Sequence, residues 1–277
     1  MNDYYKKRLC FVAGLLLGNV LALSAAPAAW AQESDSSGFS DLFDGKTLTG
    51  WDGDPRFWKV QDGVIVGETT AKNPTEKNTF LIHRGGEYGD FELRLLYKVK
   101  GFNSGVQYRS VDQGSWNVSG YQCDFEARWH KPKGEPDAMG ADKFTGMFFE
   151  EGGRGFMGQR GEIVIARPNP ENPKAASIEK IGSVGDAAEL ESHINREDWN
   201  ELIVIATGNQ FVHIVNGHAM AIGIDEDEKL RRAKGIFAFQ LHSGTPMRIE
   251  VKEIRVRRLG ATDATPSAAV PQKKSSQ

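Results

Sequence analysis

The stretch at 120–128 reads GYQCDFEAR, with an amide, two carboxylates and a guanidinium at every second position. In an extended chain successive side chains point to opposite faces, so Gln122, Asp124, Glu126 and Arg128 share one face and Tyr121, Cys123, Phe125 and Ala127 the other. The first row holds the groups that grip hydroxyl-rich ligands and move protons; the second is a core face, where Cys123 packs as a small hydrophobe. Three further runs repeat the arrangement. In SGVQYRS, Gln107 and Arg109 oppose Val106 and Tyr108. In GIFAFQLHSG, Ala238, Gln240 and His242 oppose Phe237, Phe239 and Leu241. In GMFFEE, Phe148 and Glu150 oppose Met147 and Phe149. A solvated outer face of a sheet is ordinarily rich in Lys, Glu and Thr. These rows carry Gln, Arg, Asp, His and Glu and no lysine, which predicts a polar cleft with Phe148 stacked on the apolar face of a sugar ring.

The elements that must position these rows are short β-like runs punctuated by Gly, Asn and Asp. They extend from Phe39 to Leu259 and predict one antiparallel β-sandwich domain over 39–259. ATGNQFVHIVNGHAMAI reads as two hairpins turning at Gly208-Asn209 and Asn216-Gly217, the second suited to a tight type I′ turn. Only DAAELESHI and DEDEKLRRA read as helical. GEIVIARPNPENPKAASIEKIG, with three prolines, is expected to loop over one end of the sandwich.

The N-terminus is different in kind. A basic MNDYYKKR, an apolar run at 9–23 and a small-residue stretch ending at Ala29-Trp30-Ala31 together predict a secretory signal peptide over 1–31. The apolar run falls short of the roughly 20 residues of a spanning helix, so no membrane span is expected after cleavage. Residues 32–38 read as a linker and 260–277 as a disordered tail. The mature chain is then expected in the periplasm or outside the cell, with Cys123 as its single cysteine. A formal net charge of -3 gives no reason to expect a nucleic-acid partner.

Eight motifs, in order, resemble the 3-keto-disaccharide hydrolase family: FSDLFDGKTLTGW, FWKVQDGVIVGE, YGDFELRLLYKV, NSGVQYRS, GYQCDFE, FTGMFFEEGGRG, DWNELIVIATGNQFVHIVNG and GIFAFQLHSGTPMRIEVKEIRVRRL. The resemblance implies an all-β, antiparallel jelly-roll β-sandwich of the concanavalin A-like lectin/glucanase type, with a sugar site on one sheet. By position it marks Asn103, Ser104, Gln107, Arg109, Gln122, Asp124, Glu150, Arg154, Gln240 and His242, to which Glu68, closing VIVGE, is added. It also implies glycosides oxidised to a ketone at the third carbon as substrates, and an oxidoreductase that supplies that ketone.

Such a ketone acidifies the proton on carbon 2. A base can remove it, and the enolate can then expel the glycosidic oxygen from carbon 1, by a lyase step that hydration completes. Asp124, Glu150 and His242 are the base candidates, and Arg109 or Arg154 the oxyanion partner. A divalent metal, with Asp124 and His242 among its ligands, would polarise the same carbonyl. Two other readings stay open. Asp124 and Glu126, roughly 7 Å apart along a strand, could serve a conventional glycosidase. The same amides and aromatics, with Trp116 and Trp129 as platforms, could serve a non-catalytic carbohydrate-binding module. Trp51, Trp58 and Trp199 are expected in the core, and His213 as an ordinary strand residue.

Overall fold

The structure, a computed structural model, describes residues 38–260 apart from 129, 132 and 135–139. The expected signal peptide, most of the linker and nearly all of the tail therefore lie outside the described residues, as does Trp129. Along the chain come β1 (Ser40–Asp41), β2 (Trp51–Asp52), β3 (Trp58–Gln61), β4 (Val64–Glu68), β5 (Thr79–His83), β6 (Phe91–Lys100), β7 (Asn103–Gly114), β8 (Asn117–Glu126) and β9 (Phe148–Glu151). They are followed by β10 (Gly155–Gly158), β11 (Glu162–Pro168), β12 (Ala176–Ser183), α1 (Ala187–Ser192), β13 (Asn200–Thr207), β14 (Gln210–Val215), β15 (His218–Asp225), β16 (Ile236–Leu241) and β17 (Arg248–Arg258).

Two sheets form. The larger runs β12-β11-β15-β14-β13-β6-β17-β4-β3, with β1 added against β17, and the smaller runs β10-β9-β8-β7-β16-β5-β2. Pairing is antiparallel except between β11 and β15, so the chain is the expected all-β sandwich with one parallel pair. Both hairpins in the ATGN…MAI stretch are present, and Asn216 and Gly217 take the positive φ of 48° and 82° that the tight turn requires. The three-proline segment, expected as a loop, is the β11–β12 hairpin, turning through 169–175 at the edge of the larger sheet. DAAELESHI makes α1, capped by Asp186. DEDEKLRRA makes no helix, because Asp225 ends β15 in bonds to Tyr121 and Arg154 while Asp227 folds the next residues into a single turn. Among the described residues no helix is long and apolar enough to cross a membrane.

The core lies between the sheets. Tyr97 stacks on Phe125 with centroids 4.2 Å apart, Tyr121 tilts on Phe211 at 4.6 Å, and Phe91 meets Phe237 edge-on at 4.8 Å. Such pairs add to the burial of their apolar area. His213 belongs to this core: burial pushes its pKa down to about 4. Its Nδ1 donates to the Gly146 carbonyl at 3.2 Å and its Nε2 accepts from the Tyr108 hydroxyl at 2.8 Å, tying the sheets together. Trp51 and Trp58 are buried as expected, but Trp199 is only half-buried, with the ammonium groups of Lys98 and Lys252 4.8 and 4.5 Å from its ring.

One irregularity redirects an expected site residue. Alternation along β7 puts Arg109 beside Gln107, but the β7–β8 register shifts between Tyr108 and Val111 and Arg109 takes a φ of 44°. A bulge of this kind re-aims the side chain. The guanidinium is fully buried, 5.3 Å from the Phe211 ring, and donates to the carbonyls of Gly89, Gly208 and Arg232 and to Asp90. It holds loops of the larger sheet to β7 and does not face a sugar. Removing one partner of a buried charge network costs about 3–5 kcal/mol. Arg109→Ala is therefore expected to lose stability on that scale in urea denaturation; a variant as stable as the parent but weakened in sugar binding would return Arg109 to the cleft.

Candidate functional site

Pairing across β7, β8 and β16 builds one polar face. Asn103 lies opposite Glu126, Gly105 opposite Asp124, Gln107 opposite Gln122, and Ala238 opposite Gln107. Paired residues of neighbouring strands project to the same side of a sheet, so these rows become a single surface with Gln240 and His242. A cleft of about 260 Å³ opens on it, floored by Asn103, Gln122, Asp124, Glu126, Gln240 and His242. Phe102 and Arg128 wall one part, and Phe144, Met147, Phe149, Glu151 and Phe156 the rest.

Asp124 sits at the centre of a directed hydrogen-bond chain. The Ser110 hydroxyl donates to Gln107 Oε1 at 3.0 Å, Gln107 Nε2 donates to Gln122 Oε1, and Gln122 Nε2 donates to Asp124 Oδ1 at 2.5 Å. Asn103 donates to the other carboxylate oxygen at 3.3 Å. A side branch runs from Asn78 to Glu151, which also accepts from Gln240 Nε2 at 3.0 Å. Gly105 makes this approach feasible: a Cβ there would lie 2.5 Å from Gln122 Cγ. Burial pushes the Asp124 pKa up to about 7, against the opposing pull of the two amide bonds and with the charges of Glu151 and Asp142 adding to the rise. The donors are neutral, so the carboxyl group is oriented without being held ionised. That suits a base working near neutral pH.

Glu126 is two residues along the same face. Its Oε1 accepts from the backbone N–H groups of Lys143 and Phe144, while Oε2 is buried without a hydrogen-bond partner, 3.4 Å from His130 Nε2. Burial and then the neighbouring Asp142 charge push its pKa up, favouring a protonated carboxylic acid. His242 presents an imidazole at the rim. Its Nδ1 donates to the Ser243 carbonyl at 2.7 Å, which leaves Nε2 as the acceptor in the neutral ring. Phe102 meets that ring edge-on at 4.9 Å and carries the Arg128 guanidinium at 5.1 Å. Among the described residues no group of three or more His, Cys, Asp or Glu side chains is arranged to hold a metal ion, so Asp124 and His242 would supply only part of a cation's shell.

Of the residues expected at the site, Asn103, Gln122, Asp124, Gln240 and His242 border the cleft and Gln107 lies buried behind Gln122. The others are elsewhere. Phe148 pairs with Cys123 and is buried in the core, stacked on Phe211 at 5.3 Å. Glu150 pairs with Tyr121 on the same core face, where Arg154 neutralises it. Arg154 also clamps Asp225 through its two terminal guanidinium nitrogens, while its Nε donates to Glu150. The β9 alternation is thus the reverse of the expected one: Phe149 and Glu151 face the cleft. Ser104 is buried and donates to the Gln240 carbonyl at 2.7 Å, stitching β7 to β16. Glu68 ends β4 in the other sheet, near Arg248. Trp116 donates to Asp52 and does not line the cleft. The cation that does line it, Arg128, stood in the opening row of the sequence; Phe156 and Glu151 had no signal of their own, since their facing depends on how β9 pairs.

Two stacked sheets with amides, carboxyls and aromatics on one outer face define a carbohydrate-active sandwich, and similarity agrees. Residues 38–257 match the family described as the 3-keto-alpha-glucoside-1,2-lyase-like domain, and the chain belongs to that family. A 3-keto-disaccharide hydrolase of Bacteroides thetaiotaomicron is 28% identical over 150 residues, a match that spans 42% of this chain and 51% of that protein, about half its length. A solved candidate glycosyl hydrolase from Parabacteroides distasonis has the same fold, with a TM-score of 0.52 at 18% identity over 82% of this chain and 97% of its own.

Two outcomes follow from the carboxyl site. Gly105→Ala must push the Gln122 amide off Asp124; circular dichroism is expected to stay native while turnover falls at least about tenfold, and undiminished turnover would show that the amide is not needed there. The second concerns stability. With a folded pKa near 7 and an ordinary value of 3.8, folded Asp124 keeps a proton that the unfolded chain has released. Its contribution is full below the ordinary value and is lost as pH rises through 7. Asp124→Asn is expected to flatten that part of the fall in melting temperature across the window; an unchanged slope would place Asp124 in water.

Proposed function

We propose that this protein cleaves the glycosidic bond of sugars already oxidised to a ketone at carbon 3, by elimination across carbons 1 and 2 followed by hydration. The observation that carries this reading is the pair on one strand face: Asp124, buried and titrating near neutrality among neutral donors, and Glu126, buried beside Asp142 with its proton affinity raised. The family description and the name of the Bacteroides relative support the 3-keto substrate.

Ionised Asp124 takes the proton from carbon 2, and the electron pair passes into the enolate of the ketone. Arg128 is the cation at the cleft to meet the developing oxyanion, with the amides of Asn103 and Gln240 as neutral donors. The enolate re-forms the ketone by making the carbon 1–carbon 2 double bond and breaking the bond from carbon 1 to the glycosidic oxygen, which takes the proton of Glu126. The aglycone departs as an alcohol. In the return half, Glu126 draws a proton from water as its oxygen adds to carbon 1, and Asp124 gives its proton back to carbon 2, so the net change is hydrolysis. His242 Nε2 accepts from a sugar hydroxyl at the rim. The N-terminal features read as a signal peptide support action in the periplasm or outside the cell, on sugars oxidised beforehand by a separate oxidoreductase.

A conventional glycosidase would draw on the same two carboxyl groups, one ionised beside one protonated, and would need no ketone. The readings separate by substrate. The purified protein is expected to cleave a 3-keto glucoside and to leave the parent glucoside intact, and release from the parent at a comparable rate would favour the glycosidase. Binding of both without release would favour the carbohydrate-binding module. Asp124→Asn is expected to abolish turnover with the fold kept. The pH profile of kcat/KM on the 3-keto sugar is expected to be a bell, rising through about 7 as Asp124 ionises and falling as Glu126 does; a profile flat through neutrality would remove Asp124 as the base.

A further inference from the structure

A second, larger pocket, of about 530 Å³, adjoins the cleft: Phe144, Met147 and Phe156 border both. We infer that this pocket is the subsite for the leaving group and that it takes a flat apolar aglycone, so that the substrates are 3-keto glycosides of aromatic alcohols in preference to 3-keto disaccharides. The inference rests on the elimination reading and adds to it the chemistry of the departing alcohol.

The position of Glu126 sets the direction. Its Oε1 is bound by the backbone of Lys143 and Phe144, in the partition between the two spaces. The group that protonates the glycosidic oxygen therefore sits at the boundary, so a sugar ring lying over Asp124 points its aglycone across Phe144 and Phe156 into the second pocket.

The wall chemistry decides what fits. The polar groups inside the pocket are already bound to one another. Arg160 donates to the Ala187 carbonyl at 3.0 Å, to Asp142 Oδ1 at 3.1 Å and to the Asp142 carbonyl at 2.5 Å, and lies 3.5 Å from Glu191. Asp142 Oδ1 also accepts from the N–H groups of Phe144 and Thr145. What faces the space is aromatic and methyl surface from Phe144, Phe156, Met147 and the alanines of α1, with Lys143 and Gln159 exposed at the rim. A second sugar ring would bring hydroxyl groups that lose water and find few partners, which is costly. A planar apolar group loses nothing of that kind, and the volume lies in the range of roughly 300–1,000 Å³ that holds small ligands. Phe156 adds an independent sign. It is 61% exposed yet held in place by edge contact with Phe149 at 5.3 Å and a tilted contact with Phe144 at 5.9 Å. An exposed aromatic ridge between two pockets is a platform for a ring.

The test compares three substrates: the methyl and benzyl 3-keto glucosides and a 3-keto glucose disaccharide. Methanol, benzyl alcohol and a sugar hydroxyl are all alkyl alcohols, so leaving-group acidity does not dictate the order. The parent protein is expected to prefer the benzyl glycoside in kcat/KM by about tenfold or more over the other two. Ala188→Trp fills the pocket from an exposed position on α1 and is expected to remove that preference, with the methyl glycoside, too short to reach the pocket, reporting that the variant folds. Phe156→Ala is expected to lower the ratio of benzyl to methyl and serves if Ala188→Trp does not fold. A preference for the disaccharide, or a benzyl advantage that survives both substitutions, would overturn the inference. If no 3-keto sugar is cleaved, the elimination reading fails and calorimetry with benzyl glucoside still decides the pocket: heat of binding lost in Ala188→Trp upholds it, and no binding to the parent ends it.

Discussion

Keeping a carboxyl group out of water with no cation to meet it is the constraint on which this site is built. An isolated buried carboxylate is expensive, and a protein answers either with an opposite charge or by letting the group hold its proton. Strand β8 uses both answers, on its two sides. On the core side Glu150 and Asp225 are met by Arg154 in ion pairs away from the cleft. On the cleft side Asp124 meets only amides, and its proton affinity rises to neutrality. The same kind of group is thus tied into a structural ion pair in one setting and left among neutral donors in the other.

The neutral donors have to be aimed, and much of the local architecture serves that end. The glutamine chain from Ser110 to Asp124 crosses β7 and β8 in one direction, so it requires those strands to stay in register. Ser104 stitches β7 to β16 underneath. The Arg109 bulge, which takes a guanidinium out of the cleft, ends the regular ladder just beyond Gln107. Had that arginine stayed in its row, a permanent cation would lie near the glutamines and would lower the basicity that Asp124 owes to its burial.

The loop before β9 carries the remaining wall and is tied to the core at several points. Asp142 gathers Thr145, Phe144 and Arg160, His213 holds the Gly146 carbonyl, and Glu126 holds the backbone at 143 and 144. A wall anchored in this way holds Phe144 and Met147 in place, so a ligand entering the cleft would meet a site that needs little ordering.

Much of the fold and half of the site were legible in the sequence, for reasons that are local. Period-two alternation in GYQCDFEAR and GIFAFQLH is clear, because Tyr121, Cys123, Phe125, Phe237, Phe239 and Leu241 fall on one parity and the amide, carboxyl, guanidinium and imidazole groups on the other; the faces of Gln122, Asp124, Glu126, Gln240 and His242 follow from bond geometry alone. Asn216-Gly217 likewise names its turn. Where local order is symmetric, it carries no such information. FFEE offers two phenylalanines and two glutamates in succession, and either phase satisfies the pattern; only the pairing of Phe148 with Cys123 and of Phe149 with Gln122 decides which Phe is core and which Glu faces the cleft. Arg109 follows its alternation in sequence and departs from it in space, because carbonyls at 89, 208 and 232 and the carboxylate of Asp90, brought in by the larger sheet, outbid the cleft for its five donors. Glu68 and Arg154 differ from their expected places for the same reason. Which partner a charged side chain finds is settled by residues far away in the chain, and those arrive only when the two sheets close on each other.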